Sequence, residues 1–104
     1  MYEDFLRDRI TQLRLQQGLS AQELSTALGQ NRNYINQIEN KRALPSLSGL
    51  FYICEYFHIT PQEFFDEGNA CPAELSALIE NLKKLDAATL ANIAELVKGL
   101  AAKK

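Results

Sequence analysis

The sequence predicts an all-α protein, five short helices followed by a two-helix hairpin, and three observations carry that expectation. Apolar residues recur at three- and four-residue spacing in nearly every segment, where strands would alternate. Glycine and proline cut the 104 residues into short pieces. Capping signals open several of those pieces: Ser20 with Glu23, Thr60 with Pro61 and Glu63, and Asp86.

The first helix is expected from Tyr2 to Gln17, with Phe5, Leu6, Ile10 and Leu13 as its apolar stripe and Gly18 as its C′ residue. Arg7, Arg9 and Arg14 fall on its other face. Ser20 opens the second helix, whose Leu24, Ala27 and Leu28 face inward, and Gly29 permits the sharp turn after it. Asn31 is the expected N-cap of the third helix. Ser46 caps a fourth, through Phe57, with Leu47, Leu50, Phe51, Cys54 and Phe57 on its buried face. Thr60, Pro61 and Glu63 start a short fifth helix carrying Phe64 and Phe65.

The cluster "DEGNACP" marks a boundary, and aromatic residues disappear after it. The organisation read from this is a domain over 1–67, a linker over 68–72 and a helical hairpin over 73–104. In the hairpin, Leu75, Leu78, Ile79, Leu82 and Leu85 form one stripe. Leu90, Ile93, Val97 and Leu100 form another, at the 3–4–3 spacing of a coiled-coil seam. That second stripe is the expected dimerisation surface, which would make the chain a homodimer.

With 46% apolar and 23% charged residues, the composition is that of a soluble globular protein. The longest apolar run is Leu50 to Cys54, far below the roughly 20 residues of a membrane helix, so no membrane association and a cytoplasmic location are expected. Two cysteines, Cys54 and Cys71, build neither a disulfide scaffold nor a metal site, and Cys54 with His58 lacks the further ligands a metal requires. No nucleophile with a neighbouring base and no glycine-rich phosphate loop occurs, so neither enzymatic activity nor a cofactor is expected.

The net charge of −2 argues against a nonspecific coat on nucleic acid. A local site is another matter. The stretch "NRNYINQIENKR", residues 31–42, holds Arg32, Lys41 and Arg42 against Glu39 alone. On a helical projection Arg32, Asn33, Asn36, Gln37 and Asn40 share an arc of about 140°, opposite Tyr34, Ile35 and Ile38. Asparagine is a poor helix former, so four asparagines in this segment cost helix stability with no local return. Amides match the N6/N7 edge of adenine and arginine the O6/N7 edge of guanine in the major groove.

The string "RITQLRLQQGLSAQELSTALGQNRNYINQIENKRALPSLSGLFYICEYFHITPQEFF" resembles the lambda-repressor/Cro-type helix-turn-helix DNA-binding domain, the xenobiotic-response-element (XRE) family. The resemblance runs from Arg9 to Glu67. Gly18-Leu19-Ser20, Leu24, Leu28-Gly29, Tyr34-Ile35, Ile38-Glu39 and Pro45-Ser46-Leu47 stand at the family spacing. It implies a five-helix domain whose third helix enters the major groove of double-stranded DNA. Arg32, Asn33, Asn36 and Gln37 resemble its base-contacting positions. Asn31, Gln22, Tyr34, Asn40, Lys41 and Arg42 resemble backbone contacts, and Arg14 with Glu39 a structural ion pair. Two departures are Ala21, where a phosphate-binding glutamine is common and Gln22 follows, and Gln30 in the turn. A third is His58, at a position where glycine is usual and where a left-handed cap is the expected role.

The function so implied is a sequence-specific transcriptional regulator, a repressor acting on a near-palindromic operator. The alternative is a helix-turn-helix module, antitoxin- or coactivator-like, that acts mainly through a regulatory protein partner. Tyr52 and Tyr56 would then form the partner surface instead of packing against the C-terminal helices.

Overall fold

The computed structural model describes residues 2–103. Seven helices run α1 (Tyr2–Gln16), α2 (Ala21–Ala27), α3 (Tyr34–Glu39), α4 (Leu47–Tyr56), α5 (Pro61–Phe64), α6 (Pro72–Leu82) and α7 (Ala87–Ala102), with no strand among the described residues. Two compact units divide the chain, one through Ala73 and one from Glu74.

In the first unit the core is Ile10 and Leu13 from α1, Leu24 from α2, Ile35 and Ile38 from α3, and Leu50, Ile53 and Cys54 from α4. Phe57, Ile59 and Phe64 complete it. The stripe on α4 differs from expectation, since Leu47 and Phe51 are 67% and 42% exposed. Leu50, Ile53, Cys54 and Phe57 define a face whose centre lies about 70° from Leu47 and about 110° from Phe51, so those two fall outside it. Ala27 of α2 is likewise exposed. Burial pushes the Cys54 thiol up to about 11, which leaves it an unreactive core group.

Helix ends follow a single device. Both capping boxes form, Ser20 with Glu23 and Thr60 with Glu63. At their C-termini α1, α2, α3 and α4 all end on a left-handed residue: Gly18 at φ +68°, Gly29 at +73°, Lys41 at +64° and His58 at +58°. After each, the next N–H reaches back five residues, as in Leu19 to the Arg14 carbonyl and Ile59 to the Cys54 carbonyl. Lys41 is the unexpected member of the set.

Arg9 is 4% exposed and lies in the core, not on an outer face of α1. Its Nε donates to the Phe64 carbonyl at 2.8 Å, and its terminal nitrogens donate to the carbonyls of Asp66 and Asn69 and to Gln12 Oε1. The guanidinium stands 5.1 Å from the centre of the Phe5 ring, which in turn lies against Phe65. Gln16 donates to the Ala70 carbonyl, and Pro72 is buried. The residues expected as a linker are thus fastened to α1, which is why the first unit extends to Ala73.

The second unit holds the rest of α6 and all of α7, with Asp86 capping α7 through the Thr89 N–H. Leu75, Leu78, Ile79, Leu85, Leu90, Leu96, Val97 and Leu100 are each 37–63% exposed, and no residue of α7 is buried. No described helix is long and apolar enough to cross a membrane.

Candidate nucleic-acid interface

Six residues cannot hold a helix together on their own, since isolated helices shorter than about 12 residues are marginal in water. α3 is held by its neighbours. Ile35 and Ile38 are fully buried, and α1 grips the C-terminal end. Arg7 Nε donates to the Ile38 carbonyl at 3.0 Å, and Arg14 makes a two-pronged ion pair with Glu39, Nε to Oε2 and Nη2 to Oε1 both at 2.9 Å. Arg14 also donates to the Leu19 carbonyl. The hydrogen bonds to Glu39 hold the Arg14 pKa above its ordinary value despite burial. Cations at this end also complement the negative end of the helix dipole.

At the other end, the buried Ile35 N–H donates to Ser25 Oγ of α2 at 3.0 Å, while Ser25 itself donates to the Ala21 carbonyl at 2.7 Å. An unsatisfied buried N–H costs about 1–3 kcal/mol, so a fully buried serine serves as the remote cap of α3. The sequence signal was a small polar residue beside Leu24 on the buried face of α2, and it was not read as one.

Asn31 does not cap in the expected way. Its Oδ1 accepts from the Asn33 N–H at 2.8 Å, closing a two-residue turn, and regular helix begins at Tyr34 with Asn33 at the N-cap position. Arg32 and Asn33 therefore stand in the turn leading into α3. Tyr34 is half-buried, and its raised pKa follows from that burial. Its hydroxyl lies over Gly49 of α4, 2.6 Å from where a Cβ would sit, so a larger residue there would make the tyrosine shift.

On the outer side, Arg32, Asn33, Asn36, Gln37, Asn40, Lys41 and Arg42 are all exposed, as is Gln22 in the first turn of α2. Among the described residues the side chains of Arg32, Asn33, Gln37, Lys41 and Arg42 spend no hydrogen bond on the protein. Asn40 differs: its Nδ2 donates to the Asn36 carbonyl at 2.8 Å and to Asn36 Oδ1 at 2.6 Å. Both of its amide protons are engaged, and none remains for a phosphate oxygen. Arg9 is occupied in the same sense, and Arg7 spends its Nε on the Ile38 carbonyl.

Tyr52 is 56% exposed and lines a groove of about 390 Å³ with Ala27, Leu28, Glu55 and Tyr56. Tyr56 packs edge-on to Phe57 at 5.1 Å. No group of three or more potential metal ligands occurs among the described residues.

Comparison with curated proteins and with solved structures gives no match for this chain. A helix-turn-helix family model, HTH_3, matches residues 10–64, from the buried Ile10 to the buried Phe64, and so spans every contact that positions α3 except the one from Arg7. With a little over half of its length matched, the chain belongs to the XRE, lambda-repressor-type helix-turn-helix family of DNA-binding transcription regulators.

Proposed function

We propose that the protein is a cytoplasmic, sequence-specific transcriptional repressor that binds a near-palindromic operator as a homodimer. The observation that carries this reading is the exposed outer face of α3, with Asn36 and Gln37 on the helix and Arg32 and Asn33 in the turn leading into it, on a short helix fixed at both ends by Ser25, Arg7 and Arg14. Amide and guanidinium groups that make few bonds to their own protein suit base edges, and a rigid mount places their backbone without further ordering cost. Backbone contacts then fall to Asn31, Gln22, Tyr34, Lys41 and Arg42.

Selection from randomised duplexes at moderate salt tests the proposal directly, and recovery of no preferred sequence would end it. With the selected site in hand, Asn33→Ala or Gln37→Ala is expected to remove about 1–3 kcal/mol of discrimination at one base pair. With three free cations beside α3 in each protomer, Arg32, Lys41 and Arg42, the logarithmic salt slope of the dimer is expected to be about −5. A slope beyond about −10 would require phosphate contacts from cations away from α3.

Lys41 gives a sharper test, because a left-handed conformation costs an L-residue about 1–2 kcal/mol. Lys41→Gly is expected to raise stability by about 0.5–1 kcal/mol, after the entropy of the glycine in the unfolded chain, while weakening DNA binding. His58→Gly relieves the same strain at the end of α4 and should leave DNA affinity unchanged. Equal affinity for wild type and Lys41→Gly would remove Lys41 from the interface.

The second reading, a module working through a protein partner, rests on the exposure of Tyr52 beside its groove. Arg32→Ala with Asn36→Ala separates the two. Regulation surviving that pair would favour the partner.

A further inference from the structure

We propose that Asn40 is a positioning residue that sets the side-chain amide of Asn36 for base reading, and is not a contact to the DNA backbone. This rests on the reading of α3 as a base-contacting helix. Within the exposed row, Asn36 is the one base-reading candidate tied to another side chain, since Arg32, Asn33 and Gln37 are free. Asn40 Nδ2 spans the Asn36 main chain and side chain together, at 2.8 Å to the carbonyl and 2.6 Å to Oδ1. Two anchors from a single amide nitrogen fix both its own rotamer and the plane of its partner.

The hydrogen-bond inventory shows what remains. Asn40 has spent both protons, and its backbone N–H donates to the Asn36 carbonyl as well, at 3.0 Å. Its free atom is Oδ1, an acceptor, which a phosphate repels. Asn36 keeps both Nδ2 protons and one Oδ1 lone pair. That set can donate to a purine N7 while accepting from an exocyclic amine, provided the amide is not flipped. A flip would bring Nδ2 of Asn36 against Nδ2 of Asn40, donor to donor, so the contact selects one orientation. A free asparagine has to settle its two side-chain torsions and its amide face when it meets the base, and here that ordering is done in advance.

The test uses the full chain and a duplex obtained by randomised selection, with every single-base variant of one half-site measured by fluorescence anisotropy. Asn36→Ala identifies the base pair that Asn36 reads. Asn40→Ala is expected to lower discrimination at that same base pair by about five- to a hundredfold and to leave the other positions within about twofold. The double variant should lose no more than the larger single loss, because both changes remove one interaction. Asn40→Lys is expected to tighten binding to all duplexes while still losing the preference at that position.

A uniform loss across all base pairs in Asn40→Ala, with a lowered thermal midpoint, would instead mean that Asn40 merely holds the end of α3 and would overturn the proposal. So would additive losses in the double variant. If Asn40→Lys tightened binding with the preference intact, Asn40 would be a backbone contact after all. Selection that recovers no sequence defeats the base-reading proposal itself, which keeps the two failures apart.

Discussion

Arg9→Met is expected to destabilise the first unit by about 3 kcal/mol, lowering its thermal midpoint by about 12–24 °C. The guanidinium holds the carbonyls of Phe64, Asp66 and Asn69, and a hydrogen bond from a charged donor contributes about 1.5–3 kcal/mol when its acceptor is left unpaired. Replacing a buried ion by an apolar side chain can be neutral when its partners leave with it. Here they stay, and the Phe64 residue is fully buried, so its carbonyl loses a donor that water does not easily replace. Asp66 and Asn69 are more accessible and recover water, which keeps the total well below three full bonds. Arg9→Lys should recover less than half of the loss, because an ammonium cannot span three divergent carbonyls as the planar fork does. Amide hydrogen exchange should quicken first at residues 66–71, which Arg9 and Gln16 fasten to α1. A midpoint shift below about 4 °C would show that the clamp contributes little.

Arg9 also shows where reading the sequence stops. An arginine at the edge of an apolar stripe projects as an exposed residue, and the acceptors that bury it lie 55 to 60 positions away on α5 and the segment after it. Periodicity identifies a face and says nothing about which distant carbonyls will meet it. Ser25 escaped for the same reason: its partner, the Ile35 N–H, belongs to the next helix. What could be read was local. Ser20 with Glu23 and Thr60 with Glu63 complete their capping boxes within three residues, and Gly18 and Gly29 take positive φ where a helix had to end. Lys41 shares that conformation without the composition that announces it. The row on α3 was legible because its periodicity and its chemistry coincide, although regular helix starts only at Tyr34 and the Asn36 to Asn40 bond is invisible to a projection.

Val97→Glu with Leu100→Glu is expected to give a monomer of 11.7 kDa and to weaken binding to the selected duplex by about 10²–10⁴-fold, the usual gain from tethering two modules. On α7, Leu90, Ile93, Val97 and Leu100 share one face, opposite Asn92, Glu95 and Lys98, yet none of the helix's residues is buried. An apolar face of that kind ordinarily packs against a neighbour, and a unit of about thirty residues is too small to supply one. Eight large apolar side chains of the second unit stay 37–63% exposed, each leaving about 1 kcal/mol of burial unrealised, or roughly 15 kcal/mol for two copies. Association costs about 4–15 kcal/mol, so pairing that buried all of these side chains would be favourable only by a narrow margin, and it is expected to depend on protein concentration. Of the four seam residues, Ile93 is already half-buried, whereas Val97 and Leu100 are 57% and 59% exposed, which makes them the informative sites. The salt slope should fall by half as well, since one protomer brings three free cations beside α3 where two bring six. In a dimer on DNA the two copies of Asn33 would lie about 34 Å apart, one turn of the duplex, a distance that spin labels at position 33 can measure. A double variant that stays dimeric, or that binds the duplex as tightly as wild type, would place the second protomer's contact elsewhere on the chain and leave the seam as packing for the hairpin alone.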